Sequence, residues 1–156
     1  MPGKLYWLSD KRPPVAGSDT KSSYFCVDGD LLYKPFYMDF GPLDIGKVHL
    51  FCQEIQKLVN NQEYNGRKIY HYTSKDYAHQ ANSAFLMATY MIIIEGKTAD
   101  EAWEKFKPYH HKFVAYVDAS QADKDYECTI LHCLKGLELA IKLGWYDYET
   151  FDVEDY

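Results

Sequence analysis

Arginine is nearly missing from this sequence, and so is any excess of positive charge. The 156 residues include two arginines, Arg12 and Arg67, and the formal net charge is −6. Proteins that bind nucleic acids need a basic face to neutralise phosphates, so this balance argues against a nucleic-acid partner. A basic partner suits an acidic protein better, because complementary charges steer the encounter of two molecules.

Long apolar runs and closely spaced cysteines are also missing. No stretch of about eighteen apolar residues occurs, which argues against a membrane span. The N-terminal residues lack the apolar core of a secretory signal. No C-x-x-C spacing connects the four cysteines, Cys26, Cys52, Cys128 and Cys133. We therefore expect buried free thiols in a reducing, intracellular compartment, which is the cytoplasm, the nucleus or both.

Aromatic side chains, by contrast, are abundant. They make up 17% of the chain, and fifteen of them are tyrosines. Hydrophobic residues at 47% and charged residues at 26% are typical of a globular protein. A chain of 156 residues has the size of one domain and buries enough surface to fold without disulfides.

Hydrophobic periodicity predicts strands and helices that alternate through the middle of the chain. Strands are expected at 5–8 and 68–72, and two apolar runs around the turn 28–30 are typical of a β-hairpin. Asp44 is the expected cap of the first helix and Gly144 the stop of the last. The predicted helices span 44–60, 84–94, 98–106 and 123–143, and the predicted loops span 9–22, 73–82 and 107–121. This order of elements favours the α/β fold class.

The polar loop 73–82 is the most suggestive place for a ligand. In α/β folds, ligands bind where the carboxyl end of a strand leads into a helix. The loop has no glycine, which a phosphate cradle usually needs, so an ordinary connection is the competing interpretation. Cysteine phosphatases place a nucleophilic Cys at the start of such a loop and an Arg six residues later. Here Tyr72 follows His71, and the loop lacks both groups.

Metal ligation and serine catalysis have weaker signals. His110 and His111 are adjacent, so their side chains diverge, and His132 and Cys133 have no partner ligand one turn along the predicted helix. We expect neither a metal site nor a cofactor. No G-x-S-x-G motif is present, although the composition leaves a Ser/His/Asp triad open.

The last thirteen residues carry most of the net charge. Segment 144–156 holds five acidic side chains and no basic one, so it contributes −5 of the −6. It is either a solvated acidic tail or one wall of a groove for a peptide rich in lysine and arginine. Aromatic residues argue against a free tail because they usually pack on something, and the segment interleaves Trp145, Tyr146, Tyr148, Phe151 and Tyr156.

Several motifs, in order, resemble the N-terminal domain of the Cdc-fourteen-type dual-specificity phosphatases. They span nearly the whole chain, from about Leu5 to Tyr156. The motifs are Phe36–Leu43, His71–Thr73, Ala81–Leu86, Asp118–Ser120 and Tyr148–Tyr156. The resemblance implies a dual-specificity-phosphatase-like fold with a central mixed sheet flanked by helices and a degenerate phosphate loop.

The resemblance also implies a function. Enzymes of this family reverse proline-directed kinase phosphorylation at mitotic exit, and their C-terminal domain carries the H-C-x5-R loop. The N-terminal copy is non-catalytic and helps to form an acidic groove for basic residues that follow phosphoserine-proline. The expected partners are therefore a catalytic domain in the same polypeptide and basic phosphoproteins, with no nucleic acid and no membrane.

The family pattern assigns residues to these features. Residues 1–146 form the phosphatase-like domain and 147–156 begin an acidic inter-domain linker. The degenerate phosphate loop comprises His71, Tyr72, Thr73 and Asn82. The groove is assigned the carboxylates of Asp118, Glu149, Asp152, Glu154 and Asp155.

The catalytic domain itself is absent from these 156 residues. Two alternatives therefore stay open beside the support of a catalytic domain. One is a free-standing pseudophosphatase that acts as an interaction module, for which the many tyrosines would form an exposed packing surface. The other is an active hydrolase with an unrecognised nucleophile.

Overall fold

Three parallel strands form the sheet of this protein, in a computed structural model that describes residues 4–15, 19–120 and 126–156. Strand β1 is Leu5–Ser9, β2 is Ser22–Phe25 and β3 is Lys68–Thr73. The strand order is β1-β3-β2, so β3 is central and pairs in parallel with both neighbours. The strands and the helices between them confirm the α/β class.

The sheet differs from the expected mixed sheet and hairpin. All of its described pairs are parallel, and antiparallel pairing is confined to isolated bridges, Phe40 with Val117 and Tyr116 with Cys128. Residues 31–34 form no strand, so the hairpin prediction is wrong. The backbone N–H groups of Asp30 and Leu31 both donate to the carbonyl of Val27, at 3.0 and 2.9 Å. This turn directs the chain away from β2, and β2 pairs with β3 instead.

Two long helices follow their caps. Helix α1 is Ile45–Asn60, and the Asp44 carboxylate accepts from Lys47 N, as predicted. Helix α2 is Tyr77–Ile93, and Asp76 accepts from the N–H groups of its first turn. The predicted start at 84 is therefore wrong. The first turns of α2 are polar and carry little of the apolar pattern that marks a buried helix, which explains the error.

The remaining helices close the C-terminal half. Helix α3 is Ala99–Glu104, with the predicted capping box at Thr98. A short 3₁₀ helix, Lys107–Lys112, replaces part of the predicted loop. Helix α4 is Ile130–Lys142, so its predicted start near 123 is wrong for residues 126–129, and 121–125 lie outside the described residues. Within the described ranges, no helix is long and apolar enough to cross a bilayer.

The two faces of the sheet have different neighbours. On one face, Trp7 of β1 donates from its indole N–H to Ser83 Oγ of α2 at 2.8 Å, and Phe25 of β2 contacts Phe51 of α1. On the other face, the rings of Tyr6 and Tyr24 stack on the Tyr70 ring between them, with centroids 5.0 and 5.1 Å apart. Helices thus cover the first face, while the second presents a row of partly exposed tyrosines.

The end of α4 yields a test with a matched control. Gly144 has φ +71°, and its N–H and that of Trp145 donate back to Ile141 and Ala140. We predict that Gly144→Ala lowers the free energy of unfolding by about 1 kcal/mol, because a Cβ disfavours this conformation. Gly136 is exposed within α4, so Gly136→Ala should raise the free energy of unfolding by about 0.5–1 kcal/mol. Urea denaturation measures both changes. Equal effects of the two variants would contradict the role of Gly144 as the positive-φ residue that ends α4.

Candidate functional site

The loop at the carboxyl end of β3 is shorter than the sequence predicts. Strand β3 ends at Thr73 and α2 begins at Tyr77, so Ser74–Asp76 alone connect them. His71, Tyr72 and Thr73 lie on the strand, whereas Asn82 lies in the second turn of α2. The four residues assigned to a degenerate phosphate loop are therefore divided between a strand and a helix.

The carboxylate of Asp28 takes the hydrogen-bond donors at this strand end. One oxygen accepts from Thr73 Oγ1 at 2.9 Å, and the other accepts from the backbone N–H of Ser74 at 2.9 Å. His79 Nδ1 lies 3.5 Å from the second oxygen. In phosphate-binding loops, such N–H groups and hydroxyls point at the ligand. Here the half-buried carboxylate of Asp28, which follows β2 in the chain, already accepts from these groups.

His71 is fully buried in the core. Its ring stacks on that of Phe25 and contacts that of Phe51 at an angle, with both centroids 4.9 Å away. Its Nδ1 is 3.4 Å from Ser83 Oγ, and its Nε2 has no hydrogen-bond partner among the described residues. Burial lowers the pKa of His71 to about 3. The imidazole is therefore neutral at pH 7.

Tyr72 stands where a cysteine phosphatase has its nucleophile, and it too is inaccessible. The side chain is 7% exposed, and its hydroxyl donates to the carbonyl of Asp10 at 3.1 Å. Burial raises the pKa of the Tyr72 phenol above its ordinary value. Arg67 precedes β3 and so lies at the opposite end of the strand from the loop, about 20 Å from Thr73 along the strand. Arg12 is exposed in the segment after β1.

Asn82 serves as a bridge inside the fold. Its Nδ2 donates to the carbonyl of Gly41 at 3.2 Å, and its Oδ1 accepts from the Tyr116 hydroxyl at 3.1 Å. It also lines a pocket of about 220 Å³, together with Asp28 and His79. Because both ends of its amide are paired with protein groups, Asn82 joins three chain segments beside this pocket.

Ser74, His79 and Asp28 are the nearest approach to a catalytic triad. Ser74 Oγ lies 2.9 Å from His79 Nδ1, and the Asp28 carboxylate lies 3.5 Å from the same nitrogen. A triad needs the serine on one ring nitrogen and the carboxylate on the other, so that the histidine can take the serine proton while the acid orients it. Both partners here contact Nδ1, so the arrangement cannot relay a proton in that way.

The cysteines are less uniform than expected. Cys52 is buried, and desolvation raises its pKa to about 12. Cys26 is exposed, so the expectation that all four thiols are buried is wrong. Cys128 and Cys133 are half-buried near the start of α4. Among the described residues, no group of three or more His, Cys, Asp or Glu side chains is arranged to hold a metal ion.

The C-terminal acidic segment, residues 147–156, packs on α1 through its aromatic rings. His49 of α1 is buried, and its Nδ1 is 3.0 Å from the Tyr146 hydroxyl. The rings of Tyr148 and Phe151 lie 4.9 and 5.1 Å from the His49 ring. Tyr156 contacts Gly46, where an added Cβ would lie 3.0 Å from the tyrosine ring. The aromatic residues therefore anchor the segment to the domain.

The acidic side chains of this segment face solvent. Asp147 and Asp152 accept backbone N–H groups two residues ahead, which shapes two tight turns. An open groove of about 630 Å³ lies beside α2 and α4, and Asp147 and Glu149 line it. The exposed carboxylates of the segment are those of Asp147, Glu149, Asp152, Glu154 and Asp155.

Asp118 is attached elsewhere in the fold. It follows Val117, which pairs with Phe40, and its exposed carboxylate accepts from the N–H and hydroxyl of Ser120 at 3.0 and 2.7 Å. The predicted groove residues thus belong to two parts of the surface, one beside Phe40 and one on α1. Sequence patterns missed Asp28, His79 and His49, because nothing in their spacing links them to the strand end or to the C-terminal segment.

The role of Asp28 can be tested against its neighbour in the same turn. We predict that Asp28→Ala lowers the free energy of unfolding by about 2 kcal/mol, because it leaves the Thr73 hydroxyl and the Ser74 N–H without their acceptor. Asp30→Ala, at an exposed position, should cost about 0.5 kcal/mol or less. Chemical denaturation compares the two, and an equal, small cost would refute the assigned role.

His71 makes stability depend on pH. Its folded pKa is about 3 and its unfolded pKa about 6.5, so the unfolded chain binds the proton more readily. The contribution of His71 to the free energy of unfolding is fully present above about pH 6.5 and is lost as the pH drops toward 3. From pH 7 to pH 5, this group alone should lower the free energy of unfolding by about 2 kcal/mol.

Urea denaturation at both pH values measures that loss, and His71→Gln serves as the comparison. The variant should lose much of the pH dependence even if it is less stable at pH 7. An unchanged slope in the variant would mean that other groups cause it.

Comparison with known proteins agrees with this geometry. Residues 1–140 match the family model described as "Dual specificity protein phosphatase, N-terminal half". The chain is 35% identical over 157 aligned residues to dual specificity protein phosphatase CDC14A of Homo sapiens, covering 100% of this chain and 26% of the relative.

Relatives from two other organisms align over nearly the same length. The tyrosine-protein phosphatase cdc-14 of Caenorhabditis elegans is 30% identical, with 100% of this chain and 23% of the relative covered. The CDC14 homolog of Schizosaccharomyces pombe is 32% identical, with 98% and 29% covered. The chain thus spans about a quarter of the length of the relatives it matches. It belongs to the family formed by the N-terminal halves of the Cdc14-type dual specificity protein phosphatases.

Proposed function

We propose that this chain is a non-catalytic phosphatase-like domain that supports a catalytic domain in the same polypeptide. One observation carries the proposal: the donors at the end of β3 are bonded to Asp28, while a buried His71–Tyr72 pair stands in place of the nucleophile. The end of β3 therefore offers no cysteine nucleophile, and the Thr73 hydroxyl and Ser74 N–H are not free for a phosphoryl group. Phosphoryl transfer depends on both positioning and charge stabilisation.

Exposed apolar residues support the docking of a second domain. Phe36 and Met38 are 92% and 76% exposed, and Tyr37 between them is also exposed. Together with the partly exposed row of Tyr6, Tyr24 and Tyr70, they offer apolar surface of the kind that partner domains cover. The names of the relatives describe dual specificity phosphatases, and the proposal places this chain's parent protein in that class.

The acidic segment supplies the proposed contact with substrate. Its carboxylates are exposed, and its aromatic anchors on α1 hold them in place rather than leaving them on a free tail. We propose that Glu149, Asp152, Glu154 and Asp155, together with Asp118, attract basic residues that follow phosphoserine-proline in substrates. In this proposal residues 1–146 form the domain, 147–156 begin the linker, and the protein acts in the cytoplasm or the nucleus, where thiols stay reduced.

An assay of the 156-residue chain separates this proposal from an active hydrolase. We predict no turnover of an aryl phosphate above the level of a heat-denatured sample. Turnover that persists through purification and disappears in one variant among Cys26→Ser, Cys128→Ser and Ser74→Ala would contradict the non-catalytic assignment and identify the nucleophile.

The charge of the acidic segment can be tested in the full-length protein. Neutralising Glu149, Asp152, Glu154 and Asp155 to Gln or Asn should weaken the binding of a basic phosphopeptide roughly tenfold at low salt. The difference should shrink as salt is added, because exposed charges are screened. Isothermal titration at two ionic strengths measures this.

A matched control changes the same number of charges elsewhere. Four exposed acidic residues lie on other parts of the surface: Glu54, Glu63, Asp100 and Glu104. Neutralising this set should leave the affinity nearly unchanged. Equal weakening by both sets would show that only the net charge matters, and no weakening by the first set would refute the groove.

A further inference from the structure

Two thiols face each other at the start of α4, in a part of the fold that the proposed function does not use. The Sγ atoms of Cys128 and Cys133 are 3.6 Å apart, and both side chains are half-buried. Cys133 lies in the first turn of α4, and Cys128 precedes the capping residue Thr129. A disulfide has a sulfur–sulfur distance of about 2.05 Å, so the two sulfurs need to approach by only about 1.5 Å.

We propose that Cys128 and Cys133 form a thiol-oxidation site that reacts with small-molecule disulfides, such as glutathione disulfide, and closes an internal disulfide. The fold holds the two thiols together before oxidation, which raises their effective concentration. The half-buried position leaves a path for a small oxidant. The exposed Cys26 and the buried Cys52 are reference sites within the same chain, since the former is open to solvent and the latter is not.

The reaction proceeds by two exchanges. The Cys128 thiolate attacks one sulfur of glutathione disulfide, whose S–S bond breaks, and one glutathione thiolate leaves. Cys133 then loses its proton and attacks Cys128 Sγ in the mixed disulfide, and the second glutathione thiolate leaves. Two protein thiols are oxidised, one glutathione disulfide is reduced to two thiols, and those thiols take up the two cysteine protons.

The first attack is assigned to Cys128. Desolvation raises the pKa of Cys133, which disfavours the thiolate of that residue. Once Cys128 carries glutathione, Cys133 is the only thiol of the pair and is held next to the sulfur that it attacks. Cys133 thus acts as the resolving thiol.

The disulfide would fix a segment that contacts the pocket beside β3. The carbonyl of Cys128 accepts from the backbone N–H of Tyr116 at 2.7 Å, and the Tyr116 hydroxyl donates to Asn82. These bonds are present while both thiols are free, and the disulfide would hold the residue before Thr129 against the first turn of α4, next to them.

Mass spectrometry of the folded chain tests the proposal. The protein is equilibrated with glutathione and glutathione disulfide, trapped with N-ethylmaleimide and digested with trypsin, which leaves both thiols in the peptide 125–135. We expect this peptide to be two hydrogens lighter and unlabelled under oxidising buffer, and to take up two labels after dithiothreitol. Cys26 should carry glutathione, and Cys52 should react only after unfolding.

Two comparisons show whether the fold matters. In Cys133→Ser, Cys128 should retain one glutathione, because the resolving thiol is gone. In urea, or in a synthetic peptide of residues 125–135, at least tenfold more glutathione disulfide should be needed to close the bond. Two labels or two glutathiones on the folded wild-type peptide, or closure as easy in the peptide as in the protein, would overturn the proposal.

Discussion

The carboxylate of Asp28 is the contact on which the arrangement of this site depends. Asp28 follows β2, and its carboxylate lies at the end of the central strand, where it accepts hydrogen bonds from the Thr73 hydroxyl and the Ser74 N–H. From the other side, Ser9 of β1 donates to the Ser74 carbonyl at 2.9 Å. The loop is therefore fixed by both outer strands, and α2 begins three residues later. An internal anion at this point stabilises the same donors that a bound phosphate would otherwise contact.

This constraint is consistent with the proposal that the domain keeps a phosphatase-like fold without a catalytic role. Strand β3 still runs through the centre of the sheet, and a short loop still leads to a helix. With Asp28 paired and His71 packed against the rings of Phe25 and Phe51, these positions contribute packing and hydrogen bonds instead of a nucleophile. In the proposed function, the functional surface lies elsewhere, on exposed carboxylates of the C-terminal segment, whose aromatic residues pack against α1.

Features set by neighbouring residues could be predicted from the sequence. The structure has four such local features: the helix caps at Asp44 and Thr98, the turn at Gly144, and the strand that contains Tyr72. The absence of a nucleophile and a guanidinium from the loop could also be read directly, because catalytic loops place those groups at fixed spacing.

Features that depend on distant contacts could not be predicted. The turn at 28–30 fits a hairpin locally, and only the parallel pairing of β2 with β3 shows that it instead carries Asp28 to the loop. The polar start of α2 has no apolar periodicity that would predict a helix. The Asp76 cap and the contact between His79 and Asp28 stabilise it instead. His49 gives no signal either, because its aromatic partners in the C-terminal segment lie about a hundred residues later in the chain.

The central claim is that the loop does not bind phosphate, because Asp28 accepts from the Thr73 hydroxyl and the Ser74 N–H, and Asp76 accepts from the N–H groups of Ala78 and His79. A titration of the ¹⁵N-labelled chain with inorganic phosphate, followed by amide chemical shifts, tests it most directly. The account predicts no saturable shift of the Ser74, Ala78 and His79 amides at phosphate concentrations up to tens of millimolar. Saturable shifts confined to these amides would contradict it, because they would mean that phosphate displaces the carboxylates of Asp28 and Asp76.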